Sequence, residues 1–317
     1  MNTWYFVHVS DIQPGSPRSF RFNPRYYENW QIAREQIMRL KPELMVIGGD
    51  ITRDGSVHDF EFQEMKASLD SMQIPYRAIP GNMDTGNKHT VKQGPRPERD
   101  DIGLNVTSEQ LRRFSRYFGE FPWSFVHKNV RFSGFYAALA GSGLPEEKRM
   151  WQWLEDLKKL EPAQHHIMTI HYALFIDDLE ESNFDITKPE EYPAWYFGID
   201  QPYRRHIFEA FKAGNVNMVF SGHIQCRRPV QAIDSIQFYK SAGIPFSQFD
   251  DRWPDGDPTL GFYHCRVTDD EVDVIFVPLE RESTATGGWG KGGHIKPEDR
   301  DYSLAQPDWS SGFSKKK

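Results

Sequence analysis

The strongest constraint in this chain is one pattern met five times: a short apolar, β-rich run that stops abruptly on polar residues. Trp4–Ser10 breaks at Asp11 and Gln13, Glu43–Ile47 at Gly48-Gly49-Asp50, and Tyr76–Ile79 at Pro80-Gly81-Asn82. His166–Ile170 exits at His171, and Val216–Phe220 at Ser221-Gly222-His223, with Gln225 just beyond. Helical spacing separates the first three runs, in Glu28–Leu40 and Phe60–Met72. Strands alternating with helices pair in parallel, and parallel pairing gathers their carboxyl ends along one edge. The pattern therefore predicts an α/β chain in which Asp11, Gln13, Asp50, Asn82, His171, His223 and Gln225 converge.

The remainder is organised around those exits. Further helices are expected at Ser108–Tyr117, Glu146–Leu160 and Tyr203–Ala213, with strands at Trp123–His127 and Val130–Tyr136. Ile176–Gln201 reads as an aromatic and acidic insertion, and 229–278 as four short strands without helices, a β-rich half joined to an α/β half. From Ser283 the composition changes, and Gly287-Gly288-Trp289-Gly290-Lys291-Gly292-Gly293 favours neither helix nor strand. We divide the chain into one domain, residues 1–282, and a tail or surface arm, 283–317.

Composition narrows the function. The 38 Lys+Arg against 45 Asp+Glu give a net charge of −7, which argues against a nucleic-acid or anionic-membrane partner. The two cysteines, Cys226 and Cys265, form neither a disulfide framework nor a metal cage, and a reducing compartment suits them. No run reaches the roughly 18 apolar residues of a membrane span, and a cytoplasmic location is expected.

Carboxylate, amide and imidazole groups in one place are a metal-ligand set. In order and spacing these segments resemble the calcineurin-like metallophosphoesterase superfamily: Asp11-Ile12-Gln13, Gly49-Asp50-Ile51-Thr52-Arg53-Asp54, Gly81-Asn82-Met83-Asp84, His171 and Gly222-His223-Ile224-Gln225, across about residues 4–280. The resemblance implies a four-layer α-β-β-α sandwich of two mixed sheets flanked by helices. It also implies two divalent metal ions bridged by Asp50, one held with Asn82, His171 and His223, the other with Asp11, Gln13 and Gln225. Gln13 and Gln225 stand where the family has histidine, and amide oxygens favour Mn2+ or Mg2+ over Zn2+, so Mn2+ is expected, with Mg2+, Fe or Zn2+ as alternatives. The Asp11-x-Gln13-Pro14-Gly15 opening and His171-Tyr172-Ala173-Leu174-Phe175 are similar to the subgroup typified by the calcineurin-like phosphoesterase domain-containing protein 1, a proposed protein Ser/Thr phosphatase.

The implied activity is phosphoester hydrolysis by attack of a metal-bound hydroxide, with Asp50, Asp84, His171 and His223 as the catalytic set. Met83 departs from the family, whose residue there is a proton-donating histidine. The segment Pro14–Tyr27 carries Arg18, Arg21 and Arg25 among aromatics and no acidic residue. With Asn82 these arginines are candidates to grip a phosphorylated substrate, the other reading being a solvated loop whose aromatics pack on the domain. Arg227 and Arg228 take the same two readings. His58, His127, His206, His264 and His294 have no partner spacing. The alternative to an enzyme is a weak or silent member that acts as a protein-binding scaffold. Substrate identity, ester type and oligomeric state stay open.

Overall fold

Eleven strands form two mixed sheets in the computed structural model, which describes residues 3–95, 102–248 and 253–313. The chain runs β1 (Trp4–Val9), α1 (Pro24–Leu40), β2 (Leu44–Ile47), α2 (Asp59–Ser71), β3 (Tyr76–Ala78), α3 (Asn82–Thr85) and α4 (Ser108–Phe118). It continues through β4 (Trp123–His127), β5 (Val130–Gly134), α5 (Pro145–Asp156), β6 (His165–Ile170), α6 (Tyr192–Phe197) and α7 (Tyr203–Ala213). The last strands are β7 (Met218–Ser221), β8 (Gln231–Ile233), β9 (Ile236–Lys240), β10 (Gly261–Val267) and β11 (Val272–Pro278).

One sheet has the order β11-β10-β1-β2-β3, the other β4-β5-β6-β7-β9-β8. In the first, β1, β2 and β3 are parallel, with Val9 opposite Ile47. In the second, β5, β6, β7 and β9 are parallel. Side-chain alternation builds the layers. Trp4, Phe6 and Val46 of one sheet meet Phe132, Ile167 and Phe220 of the other in an inner core. Val7, Val9 and Ile47 point outward onto Trp30 and Ile37 of α1 and Phe62 and Leu69 of α2. Met168, Ile170 and Val219 do the same beneath Met150 and Leu154 of α5 and Ile207 and Phe211 of α7. This is the four-layer arrangement expected.

Two expectations change. The four late strands are not a separate β-rich half: β10 pairs antiparallel with β1, with Phe6 opposite Cys265, while β9 pairs parallel with β7. The strand runs themselves carry no partner information, so which sheet receives them is settled by long-range packing. The exits also belong to two facing sheets rather than one. α1 begins at Pro24, four residues before its apolar spacing, because the Asn23 side chain accepts from Arg25 N and proline suits the first turn.

Residues 283–313 lie back on the domain. Ser283 N donates to Asn29 Oδ1 at 2.7 Å, and Phe22 and Trp289 exchange backbone hydrogen bonds of 3.0 and 2.9 Å. Gln306 N donates to Pro17 O at 2.8 Å, and Trp309 meets the Tyr27 ring edge-on. Among the described residues, no helix is long and apolar enough to cross a membrane.

Candidate metal centre

At three of the five exits the backbone turns through the left-handed region: φ is 52° at Asp11, 35° at Gln13, 51° at Asp50, 65° at His223 and 51° at Gln225. Non-glycine residues adopt this conformation at a cost, and here it aims their side chains into one space. The loops are knitted together by Asp11 N to Gly49 O (3.0 Å), Ile12 N to Asp50 O (2.9 Å) and Gly222 N to His171 O (3.0 Å). Gly81 is required by contact: a Cβ there would lie 2.0 Å from Asp50 Oδ1 and 2.3 Å from Asp50 N. At Gly222 it would lie 1.9 Å from Ser10 Oγ.

Ligand atoms of Asp50, His171 and His223, all buried, lie within 4.8 Å of one another. His171 Nδ1 donates to Gly48 O at 2.8 Å, which leaves Nε2 facing Asn82 Oδ1 at 3.1 Å and Asp50 Oδ1 at 3.4 Å. His223 Nε2 donates to Tyr196 O at 2.9 Å, leaving Nδ1 for the centre. Asn82 Nδ2 donates to Tyr196 Oη at 3.0 Å and Asn87 Oδ1 at 3.1 Å, so its oxygen is the inward atom. Asn82, His171 and His223 are thus each oriented by a hydrogen bond on the far side. A carboxylate oxygen, an amide oxygen and two imidazole nitrogens fit a divalent cation.

The charges agree. Burial opposes protonation of His171, but Asp50 and Asp11 outweigh it and push the imidazole up to about 9. Burial and the neighbouring His171 charge hold His223 well below the usual histidine range. Burial pushes the Asp11 carboxyl up to about 7, with Asp50 adding to the rise and His171 opposing it. A pocket that penalises its own carboxylates in this way favours a positive guest.

On the other side, Asp11 Oδ2 accepts from Ser10 Oγ at 2.8 Å and His223 N at 2.9 Å. Gln225 Oε1 is buried without a partner, which suits a cation. Gln13 is placed differently: Nε2 donates to Asp50 Oδ2 at 2.8 Å and faces Asp11 Oδ1 at 3.4 Å, while Oε1 accepts from Arg53 Nη1 at 3.1 Å. In this orientation Gln13 offers donors, not a ligand, to the two carboxylates.

The structure therefore brings together Asp11, Gln13, Asp50, Asn82, His171, His223 and Gln225. It separates from them several residues that sequence reasoning included. Asp84 accepts from Ile51 N, Thr52 N, Thr52 Oγ1 and Gly81 N at 2.6–3.2 Å, so its carboxylate clamps two loops rather than facing a substrate. Arg18 faces Glu64 at 3.5 Å, and Arg25 pairs with Glu282 at 2.6 Å on the surface. Arg21 is buried on Asp54, with Nη2 2.6 Å from Oδ1. The loop lacks acids of its own and finds them on other elements. Arg227 is paired with Asp257, and Arg228 with Asp177 and Asp255.

Three residues were missed. Arg53, half-buried under the rings of Tyr26 and Phe246, reaches the site through Gln13; its place beside Asp54 was the available signal. Tyr196 comes from the insertion. His294 comes from the arm, with Nε2 3.0 Å from Tyr196 Oη, and corrects the bland reading of that histidine. Nothing near His294 in sequence announces it.

The family model for calcineurin-like phosphoesterase matches residues 5–227. No curated protein matches the sequence. Among solved structures, purple acid phosphatase PPD1 from yellow lupin (Lupinus luteus) seeds superposes with a TM-score of 0.59 at 11% identity, covering 89% of this chain and 52% of that one. This chain thus spans about half the length of the lupin enzyme. A dimetal phosphatase from Danio rerio gives 0.51 at 12% identity, covering 87% of this chain and 99% of that one. GAP50, the anchor in the inner membrane complex of Plasmodium, gives 0.51 at 12%, covering 95% and 92%. At such identities the structural likeness shows the fold alone. Because the matched model spans well over half of the chain and the fold and ligand-bearing exits agree with it, the protein belongs to the calcineurin-like phosphoesterase family.

Proposed function

We propose that the protein hydrolyses a phosphate ester at this centre, with phosphomonoesters, including phosphoproteins, favoured over diesters. The observation that carries the reading is the Asp50 carboxylate gathered with Asn82, His171 and His223, these three each presenting a ligand atom inward while the other polar atom is held from behind. Divalent cations bound there would supply Lewis-acid neutralisation of the phosphoryl oxygens and make water nucleophilic near neutral pH. Gln225, and Gln13 if its amide turns, offer oxygen, which supports Mn2+ over Zn2+. The similarity of the Asp11–Gly15 opening to the phosphatase subgroup supports a monoester.

The chain's own residues do the rest. The Arg53 guanidinium, held at Gln13, is placed to donate to phosphoryl oxygens. Asp84 fixes the Asp50 and Asn82 loops relative to one another, so the ligands are preorganised before substrate arrives. Both cysteines are buried and free, which supports a cytoplasmic setting.

The test is to purify the protein without chelators, measure bound metal, and assay p-nitrophenyl phosphate and bis-p-nitrophenyl phosphate with added Mn2+. Turnover that disappears in Asp50→Asn is expected. No turnover with any divalent ion would favour the protein-binding scaffold instead.

A further inference from the structure

The glycine-rich arm and the Pro14–Tyr27 loop leave a cavity of about 380 Å³ between them. Phe22 and Tyr26 line it from the loop, and Trp289 and Lys291 from the arm. The walls are tied to each other: Phe22 and Trp289 exchange backbone hydrogen bonds of 3.0 and 2.9 Å, and Arg21 Nη1 donates to Gly293 O. Arg53 lines both this cavity and the pocket that holds Asp50, Asn82 and His223, so the two spaces adjoin at its side chain.

Charge sets what the cavity accepts. The chain carries a net charge of −7, yet no Asp or Glu lines this space, whereas Arg21, Arg53 and Lys291 do. Arg21 is neutralised by Asp54 at 2.6 Å. Among the described residues, Arg53 and Lys291 form no ion pair. A guanidinium has five N–H donors, and the Arg53 side chain spends one of them, on Gln13 Oε1. The Tyr26 and Phe246 rings, each centred 5.5 Å from its Cζ, hold the group in place. Burial and the neighbouring Arg21 charge lower Arg53 to about 10, so it is a cation at neutral pH that would gain from an anionic partner. A second cavity that shares Arg53, of about 270 Å³, differs in carrying the Asp54 carboxylate on its wall.

We propose that the cavity between loop and arm is a substrate subsite, and that it takes a second phosphate carried on the same small organic molecule as the phosphoryl group at the metal centre. This rests on the phosphoesterase reading above. Lys291 pairs with the outer phosphate, and Arg53, with donors left over from Gln13, lies between the two anions. The rings of Phe22, Tyr26 and Trp289 give the carbon skeleton an apolar wall. The arm is then a specificity element, since it supplies one wall and one of the two unpaired cations.

Calorimetry on the full-length Mn2+-loaded protein tests this with α,ω-alkylbisphosphonates of graded chain length, each against the alkylmonophosphonate of equal length; none can be hydrolysed. The best bisphosphonate should bind wild type about tenfold more tightly than its monophosphonate. Gly292 lines the cavity and a Cβ there would meet nothing within 4 Å, so Gly292→Asp adds a carboxylate without a clash. Gly292→Asp and Lys291→Gln should each weaken bisphosphonate binding about fivefold, with monophosphonate affinity, Mn2+ content and Tm unchanged. Gly292→Asn, equal in shape but uncharged, should keep the gain. Equal wild-type affinities, a gain that survives either charge change, or an equal loss in Gly292→Asn would overturn the subsite, while turnover of p-nitrophenyl phosphate leaves the phosphoesterase reading intact. A wild-type protein that binds neither class of phosphonate and turns over no p-nitrophenyl phosphate would overturn both.

Discussion

Gln13 Nε2 donates to Asp50 Oδ2 at 2.8 Å, so a neutral amide occupies one face of this buried carboxylate. The same amide carries the Arg53 contact on its oxygen. One side chain therefore couples the Asp50 carboxylate to the Arg53 guanidinium.

Replacing both amides, Gln13→His with Gln225→His, should convert this side of the centre into a nitrogen-rich site. Equilibrium dialysis against Zn2+ should show at least a tenfold gain in affinity at one site, about 1.4 kcal/mol. Unchanged zinc binding would show that no cation site forms there.

Gly81→Ala should disable the centre without unfolding the domain. The added Cβ would collide with Asp50 at backbone as well as side chain, so Asp50 must move. Metal content should fall by more than half while far-UV circular dichroism is retained. Gly292→Ala, whose Cβ meets nothing within 4 Å, is the control and should shift stability by less than about 0.5 kcal/mol.

Burial lowers His8 to about 3. Its folded value lies below the unfolded 6.5, so its contribution to stability is present above 6.5 and lost as pH falls through that window. Relative to His8→Leu, the wild-type protein should lose ~3 kcal/mol between pH 6.5 and 4, read from urea midpoints at each pH. A constant difference across that range would mean His8 is not buried as a neutral ring.

The Arg21–Asp54 pair should matter far more than the Arg25–Glu282 pair. The first is 5% and 3% exposed, the second 45% on each side. Asp54→Ala strands a buried guanidinium and should cost about 3–5 kcal/mol, and it should speed tryptic cleavage at Lys291 by releasing the arm. Arg25→Ala should cost under about 1 kcal/mol.

The sequence by itself determined the strands, their polar exits and the ligand types. Those features are local: apolar alternation defines Trp4–Val9 or His165–Ile170, and the break at Asp11 or His171 lies in the next residue or two. Five exits in order also carried the α/β class and, through resemblance, the sandwich.

What tertiary structure decided lies between residues far apart in the chain. Asp84 looked like a site acid because it follows Asn82, yet its lone pairs are taken by Thr52 and Gly81 N–H groups once two loops pack together. Arg18 and Arg25 looked free because their own loop holds no carboxylate, and Glu64 and Glu282 arrive from α2 and the end of the domain. Whether β9 and β10 joined one sheet or two depended on β7 and β1, not on their own residues. Most of all, His294 belonged to a segment whose composition promises no structure, and it reaches the site beside contacts made far away in sequence, where Asp54 holds Arg21 and Arg21 holds Gly293. Local sequence encodes conformation and chemistry, whereas proximity across the chain is set by packing, which no short window contains.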